Sequence, residues 1–158
     1  MNTKEYERIA GLYLDCVYRV AINGCKNYAD AEDVVQNTFI KLWEKENNFE
    51  DDDHARKWLI RVAVNECNSL WRTPWKRHTT SLEEVTQEPV FSTPERSTLY
   101  ETVRELPIKY RQIVHLYYFE EYSVREIAGI MNLSETAIQT RLLRARKMLK
   151  EKLKEAWQ

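Results

Sequence analysis

Glycine and proline are scarce in this chain, at 3 and 4 of 158 residues. That scarcity points to long helices rather than many turns. Cysteine is as rare. Cys16, Cys25 and Cys67 are an odd number without metal-type pairing. They read as reduced core thiols in a cytoplasm, and no metal site is expected. No apolar run is long enough to span a membrane. The opening MNTKEYERIAGLYLDCVYRV lacks the basic start, apolar run and small-residue cleavage site of an export signal. There is no Gly-rich phosphate loop and no nucleophile elbow. His54, His78 and His115 are scattered without metal-ligand spacing. His115, in an apolar segment, reads as a core or boundary residue. These absences leave an enzyme reading, a cofactor and a small-molecule substrate with little support.

What is present is 43% hydrophobic residues, enough for a packed core in one domain or two small ones. Lys4 to Ala21 has helical periodicity, with Ile9, Leu12, Val20 and the intervening tyrosines on a broad apolar face. Gly24 to Tyr28 is a connection, and Asp30 is placed to cap the next helix, with Asp33 at its third position. That helix, about Ala31 to Glu46, turns Val35, Phe39, Leu42 and Trp43 to the core. Asp33, Gln36, Asn37, Ile40 and Glu44 share another side. An isoleucine within a polar stripe fits a protein-binding surface; it fits equally one exposed apolar residue, which is common.

Asp51, Asp52 and Asp53 make a helix start, and a third helix is expected from His54 to Arg72 with Leu59, Ala63, Cys67 and Leu70 buried. Lys57, Arg61, Asn65, Asn68 and Arg72 fall on one side of it. Trp58 borders that stripe, and Trp71 and Trp75 follow. Cations, amides and rings in this arrangement suit a nucleic-acid strand, with charge for phosphates, Asn for base edges and rings for stacking. The alternative is a solvated face whose tryptophans belong to the core.

The stretch TPWKRHTTSLEEVTQEPVFST has two prolines, many Ser and Thr, and no sustained periodicity, as a flexible linker does. It divides the chain into domains at 1–73 and 94–158, with 74–93 between them. Thr93-Pro94-Glu95 reads as cap, first-turn proline and acidic first turn of a helix to about Glu105. Leu106-Pro107 restarts the chain, and Ile108, Ile113, Val114, Leu116 and Tyr117 are mostly core. Ser123 and Glu126 have the spacing of a capping box. They open a short helix with Val124, Ile127, Ala128 and Met131 on its apolar side. Asn132-Leu133 forms a turn, and Ser134 can cap a longer helix. There Ile138, Leu142, Ala145 and Leu149 make a narrow stripe opposite Thr136, Thr140, Leu143, Arg144 and Lys147.

From Ser134 onward, seven cations face three glutamates, a net +4 inside a chain of net charge −1. Charge must therefore be judged by segment. A helix with a core stripe on one side and Thr, Arg and Lys on the other suits a DNA major groove. The alternative is a solvated helix with ordinary Lys/Glu pairs. The capped helix and tight turn before it favour DNA.

Three blocks carry a family resemblance. DAEDVVQNTFIKLWE resembles the core-polymerase-binding helix of bacterial sigma factors of the extracytoplasmic-function (ECF) group. WLIRVAVNECNSLWR is similar to the segment that follows it in that group. LPIKYRQIVHLYYFEEYSVREIAGIMNLSETAIQTRLLRARKML resembles its C-terminal helix-turn-helix domain. The resemblance implies an all-α protein of two small helical domains joined by a flexible linker. It implies a non-enzymatic initiation factor that guides RNA polymerase core to promoters. Asp33, Gln36 and Ile40, with Asn37 beside them, would meet the clamp of the β′ subunit. The β flap and an anti-sigma factor would be further partners. Arg61, Asn65, Asn68 and Arg72, with Lys57 on the same stripe, would meet the opened −10 promoter element. Thr136, Gln139, Thr140, Arg141 and Arg144, with Lys147 beyond them, would meet the duplex −35 element. Gln139 stands where the group usually has a cation, and Asn132 where glycine is common. The competing classes are a stand-alone helix-turn-helix regulator binding duplex as a dimer, and a helical adaptor that binds no DNA. The first does not predict the Lys57 to Arg72 stripe, and the second does not predict the basic C-terminal helix.

Overall fold

The computed structural model describes residues 1–72, 99 and 101–156. The expected linker at 74–93 and the helix start at Thr93-Pro94-Glu95 lie outside the described residues. The chain divides into two compact units, Met1–Thr86 and Gln87–Gln158. Every described element is helical.

The first unit packs three helices on one another: α1 (Thr3–Gly24), α2 (Tyr28–Glu44) and α3 (Asp52–Arg72). Ile9, Val17 and Val20 of α1 meet Val34 and Leu42 of α2 and Leu59, Ile60 and Val64 of α3 in a core closed to solvent. Each fully buried Leu or Ile contributes about 1.5–3 kcal/mol. Helix starts are set by side-chain caps. Asn2 accepts from the Glu5 amide, and Asp51 accepts from the His54 amide at 2.7 Å.

Several expectations change here. The cap of α2 is Asn27, which accepts from the Asp30 amide at 2.8 Å, so Asp30 sits in the first turn instead of preceding it. Asn27 wins because α1 runs three residues further than its periodicity suggests, leaving only Cys25 to Asn27 as the connection. Leu12 is exposed, since it lies about a quarter turn away from the buried stripe of Ile9, Cys16, Val17 and Val20. Trp43 is exposed too, at the rim of the core, where it meets Tyr6 edge-on with ring centroids 5.3 Å apart. Leu70 is half-buried, and so is Val35, which lines the open side of α2 instead of the core.

The start of α3 is tied to α1 by a guanidinium fork. Arg8 donates to both Asp52 carboxylate oxygens at 2.9 and 3.0 Å, and to both oxygens of Glu5 at 2.8 and 3.2 Å. These hydrogen bonds hold the Asp52 and Glu5 carboxyls below their ordinary values.

The second unit holds residues 101–104 in helical form, then α4 (Ile108–Val114), a π-helical turn (His115–Phe119), α5 (Val124–Met131) and α6 (Glu135–Ala156). Val103, Leu106, Tyr110, Val114 and Ala145 form one core cluster with Met148 and Leu149 against it. Ile113, Leu116, Ile127, Ile138 and Leu142 are likewise buried, whereas Ile108 and Tyr117 are half-buried. In the π turn the Glu120 amide reaches back to the His115 carbonyl at 3.0 Å. The buried Glu120 carboxylate lies 2.7 Å from His115 Nε2. The expected capping box is formed: Ser123 Oγ accepts from the Glu126 amide, and Glu126 accepts from the Ser123 amide. The turn that follows is left-handed at Asn132, with φ 55 and ψ 47, a conformation asparagine tolerates better than most residues. The Leu133 amide closes it on the Ala128 carbonyl at 3.0 Å. Ser134 Oγ then accepts from the Ala137 amide, starting α6.

Two outcomes are expected. Ser123→Ala removes one half of the capping box and lowers the urea-unfolding stability of the second unit by about 1 kcal/mol. For the Arg8 fork the sign follows from depressed carboxyls. Their contribution is fully present above the ordinary values of 3.8 for Asp52 and 4.5 for Glu5, and it is lost as pH falls through their lower folded-state values. The stability difference between wild type and Arg8→Met therefore stays constant above that range and vanishes on acidification below it. A difference independent of pH down to full carboxyl protonation would remove the fork from the stability of this unit.

Candidate functional site

Three surfaces carry the candidate residues, and each is the far side of a helix whose near side is buried. On α2, burial of Ala31, Val34, Thr38, Phe39 and Leu42 turns Asp33, Gln36, Asn37 and Ile40 outward. Ile40 keeps 50% of its surface exposed. Gln36 and Ile40 line an open apolar groove of about 420 Å³ between α1 and α2, with Tyr6, Ala10, Leu14 and Tyr18 as its α1 wall. Asp33 and Asn37 are not part of its lining. Leu14 is a large exposed apolar residue that belongs to this site and was not singled out from sequence. The signal was present, because Tyr6, Ala10, Leu14 and Tyr18 recur every fourth residue.

On α3, burial of Ala55, Leu59, Ile60, Ala63, Val64 and Cys67 leaves Arg61, Asn65 and Arg72 exposed and Lys57 and Asn68 half-buried. Lys57 Nζ pairs with Asp53 one turn back at 3.1 Å. Trp58, beside this stripe, is half-buried and takes part in a small aromatic cluster. Its ring lies 5.5 Å from that of Phe49, and Lys45 Nζ sits 4.7 Å over the Phe49 ring. Trp71 is half-buried and donates its indole hydrogen to the Gly24 carbonyl at 2.8 Å, which fixes it as a structural ring. Trp75 lies outside the described residues.

On α6, Ile138, Leu142 and Ala145 are closed to solvent. Thr136, Arg144 and Lys147 are exposed on the opposite side with half-buried Thr140 among them, and exposed Gln139 and half-buried Arg141 flank that side. Arg146 lies two turns after Gln139 on the same flank and is tied within the unit. Its Nε donates to Tyr118 Oη at 2.6 Å, and that bond raises the guanidinium pKa. The Tyr118 contact spans 28 residues and has no counterpart in the helical periodicity.

Among the described residues no three His, Cys, Asp or Glu side chains are arranged to hold a metal ion. No helix among them is long and apolar enough to cross a membrane. The surfaces instead present one apolar groove beside amides and two cationic, amide-bearing stripes. These suit a helical protein partner and nucleic acid.

Comparison with known proteins agrees with this chemistry. Residues 9–77 match Sigma-70 region 2, and residues 96–149 match Sigma-70, region 4. The ECF RNA polymerase sigma factor SigM of Bacillus subtilis is 30% identical over 151 residues, covering 91% of this chain and 92% of SigM. SigW of the same organism is 25% identical over 164 residues, covering 93% of this chain and 88% of SigW. Among solved structures, the sigma factor RpoE of Bartonella quintana, in complex with the anti-sigma factor NepR, superposes with a TM-score of 0.75 at 26% identity, covering 96% of this chain and 98% of that one. The two Sigma-70 regions, in order on one all-helical chain, and the full-length likeness to SigM lead to one conclusion: this chain belongs to the ECF group of RNA polymerase sigma factors.

Proposed function

We propose that this sigma factor divides its work among the three surfaces. The α2 side holds the β′ clamp of core polymerase through Ile40 and Gln36 in the groove and Asp33 and Asn37 beside it. The α3 stripe of Lys57, Arg61, Asn65, Asn68 and Arg72 engages the separated strand of the −10 element. The α6 face of Thr136, Gln139, Thr140, Arg141, Arg144 and Lys147 engages the −35 element as duplex. Domains 1–73 and 94–158 carry the first two tasks and the third respectively, with 74–93 between them. The β flap is a second polymerase contact. An anti-sigma factor is a further partner, by likeness to the RpoE protein held by NepR. The factor works in the cytoplasm beside the polymerase, and catalysis belongs to the polymerase alone.

The observation that carries this reading is the pairing of buried and displayed sides on α3 and α6. Both stripes present cations and amides outward from helices locked by fully buried Leu, Ile and Val or Ala. The two stripes differ in kind. The α6 face offers Gln and Thr for base edges with Arg and Lys for phosphates, the chemistry of duplex reading. The α3 face sets two asparagines among its cations beside the Trp58 ring, which suits bases out of the stack.

Arg144→Ala is expected to weaken closed-duplex binding by holoenzyme and to reduce its salt slope by about one. Asn65→Ala is expected to spare closed-duplex binding and to impair promoter opening, read as permanganate reactivity of unpaired thymines. Loss of duplex affinity with normal opening in that variant would remove α3 from strand separation. Ile40→Lys is expected to weaken core binding about tenfold or more, the equivalent of about 1.4 kcal/mol. Circular dichroism should be unchanged, because residue 40 is exposed. Undiminished capture by purified core polymerase would take Ile40 out of the interface. Failure of the wild-type chain to bind core at all would instead favour a stand-alone duplex-binding regulator.

A further inference from the structure

Two of the three thiols meet. Cys25 follows the last residue of α1, and Cys67 lies in the last two turns of α3. Their sulfurs are 3.7 Å apart, though 42 residues separate them in sequence. Cys25 keeps 2% of its surface and Cys67 none, while Cys16 is buried elsewhere on α1. The same two segments are joined a turn away, where the Trp71 indole donates to the Gly24 carbonyl at 2.8 Å. A disulfide would close the sulfur gap from 3.7 Å to about 2.05 Å.

We propose that Cys25 and Cys67 are a reversible dithiol–disulfide pair, oxidised by peroxide, that pins the end of α3 to the end of α1. The Cys25–Asn27 connection is the short segment whose local opening admits the oxidant. The Cys25 thiolate attacks one peroxide oxygen, the O–O bond breaks, and Cys25 sulfenic acid and one water form. The Cys67 thiolate then displaces hydroxide from that sulfur, forming the S–S bond, and the hydroxide leaves as a second water with the remaining thiol proton. Two thiols lose two electrons, and one peroxide becomes two waters. The bond closes a long loop and so narrows the unfolded ensemble. It also bears on the helix that displays Asn65, Asn68 and Arg72.

The test uses the full-length reduced protein and hydrogen peroxide, with alkylation of remaining thiols before intact-mass and non-reducing peptide analysis. Expected are a loss of about 2 Da before alkylation, one cross-linked peptide pair containing Cys25 and Cys67, and a raised melting temperature. A change in tryptophan emission is expected as well, absent in Trp71→Phe. Dithiothreitol reverses all of them. Cys67→Ser abolishes the mass loss and the melting shift; Cys25→Ala serves equally if the first variant does not fold. Full alkylation of Cys25 and Cys67 after peroxide, in protein whose guanidinium-unfolded form does oxidise, overturns the proposal. So does linkage to Cys16, or over-oxidation of a single thiol without a cross-link. None of these readouts needs polymerase or DNA.

Discussion

A helix in a unit this small can hide only one of its sides. That constraint governs both units: what a helix buries decides what it shows. On α3, burying Leu59, Ala63 and Cys67 puts Arg61, Asn65 and Arg72 outside. On α6, burying Ile138, Leu142 and Ala145 does the same for Thr136, Gln139, Arg144 and Lys147. The apolar stripe is therefore an aiming device as well as a source of stability. The left-handed Asn132 and the caps at Ser123 and Ser134 serve the same end, since they set where α5 stops and where the face of α6 begins.

Magnitudes separate what holds the units together from what works at their surfaces. Burial of a single large aliphatic side chain contributes about 1.5–3 kcal/mol. Exposed ion pairs such as Lys57–Asp53 and Lys152–Glu105 belong to a class whose contributions centre on about 0–1 kcal/mol. Lys57 can therefore exchange Asp53 for a phosphate at small cost to the fold, which a cation buried in a core could not do. Ile40 and Leu14 stand on the other side of the same argument, because apolar surface left in water gains on being covered.

Much of this was legible in the sequence. Periodicity placed the helices, their buried stripes on α3 and α6, and hence the displayed stripes. Capping chemistry placed the Ser123 box and the Ser134 start, and side-chain tolerance allowed a left-handed Asn132. The misses have local causes. Asn27 and Asp30 are both able caps, and the choice between them depended on how far α1 continues, which periodicity does not fix. Trp43 and Leu12 are hydrophobic, but a core has a rim, and residue type does not tell rim from centre. The groove beside Ile40 needed two helices side by side, and the Cys25–Cys67 contact needed α1 and α3 together. Both are products of packing, not of local pattern.

The π turn at His115–Phe119 has a consequence for reading frame in space. The five-residue step brings the buried Glu120 carboxylate to His115 Nε2, while the Phe119 ring stacks on the His115 ring with centroids 5.5 Å apart. Phe119 and Tyr118 are displaced to the outside, at 51% and 49% exposure. The wide turn closes the helix that α4 begins, and it leaves Tyr118 at that end in reach of Arg146 on α6, a clasp between the last turn of one helix and the middle of another.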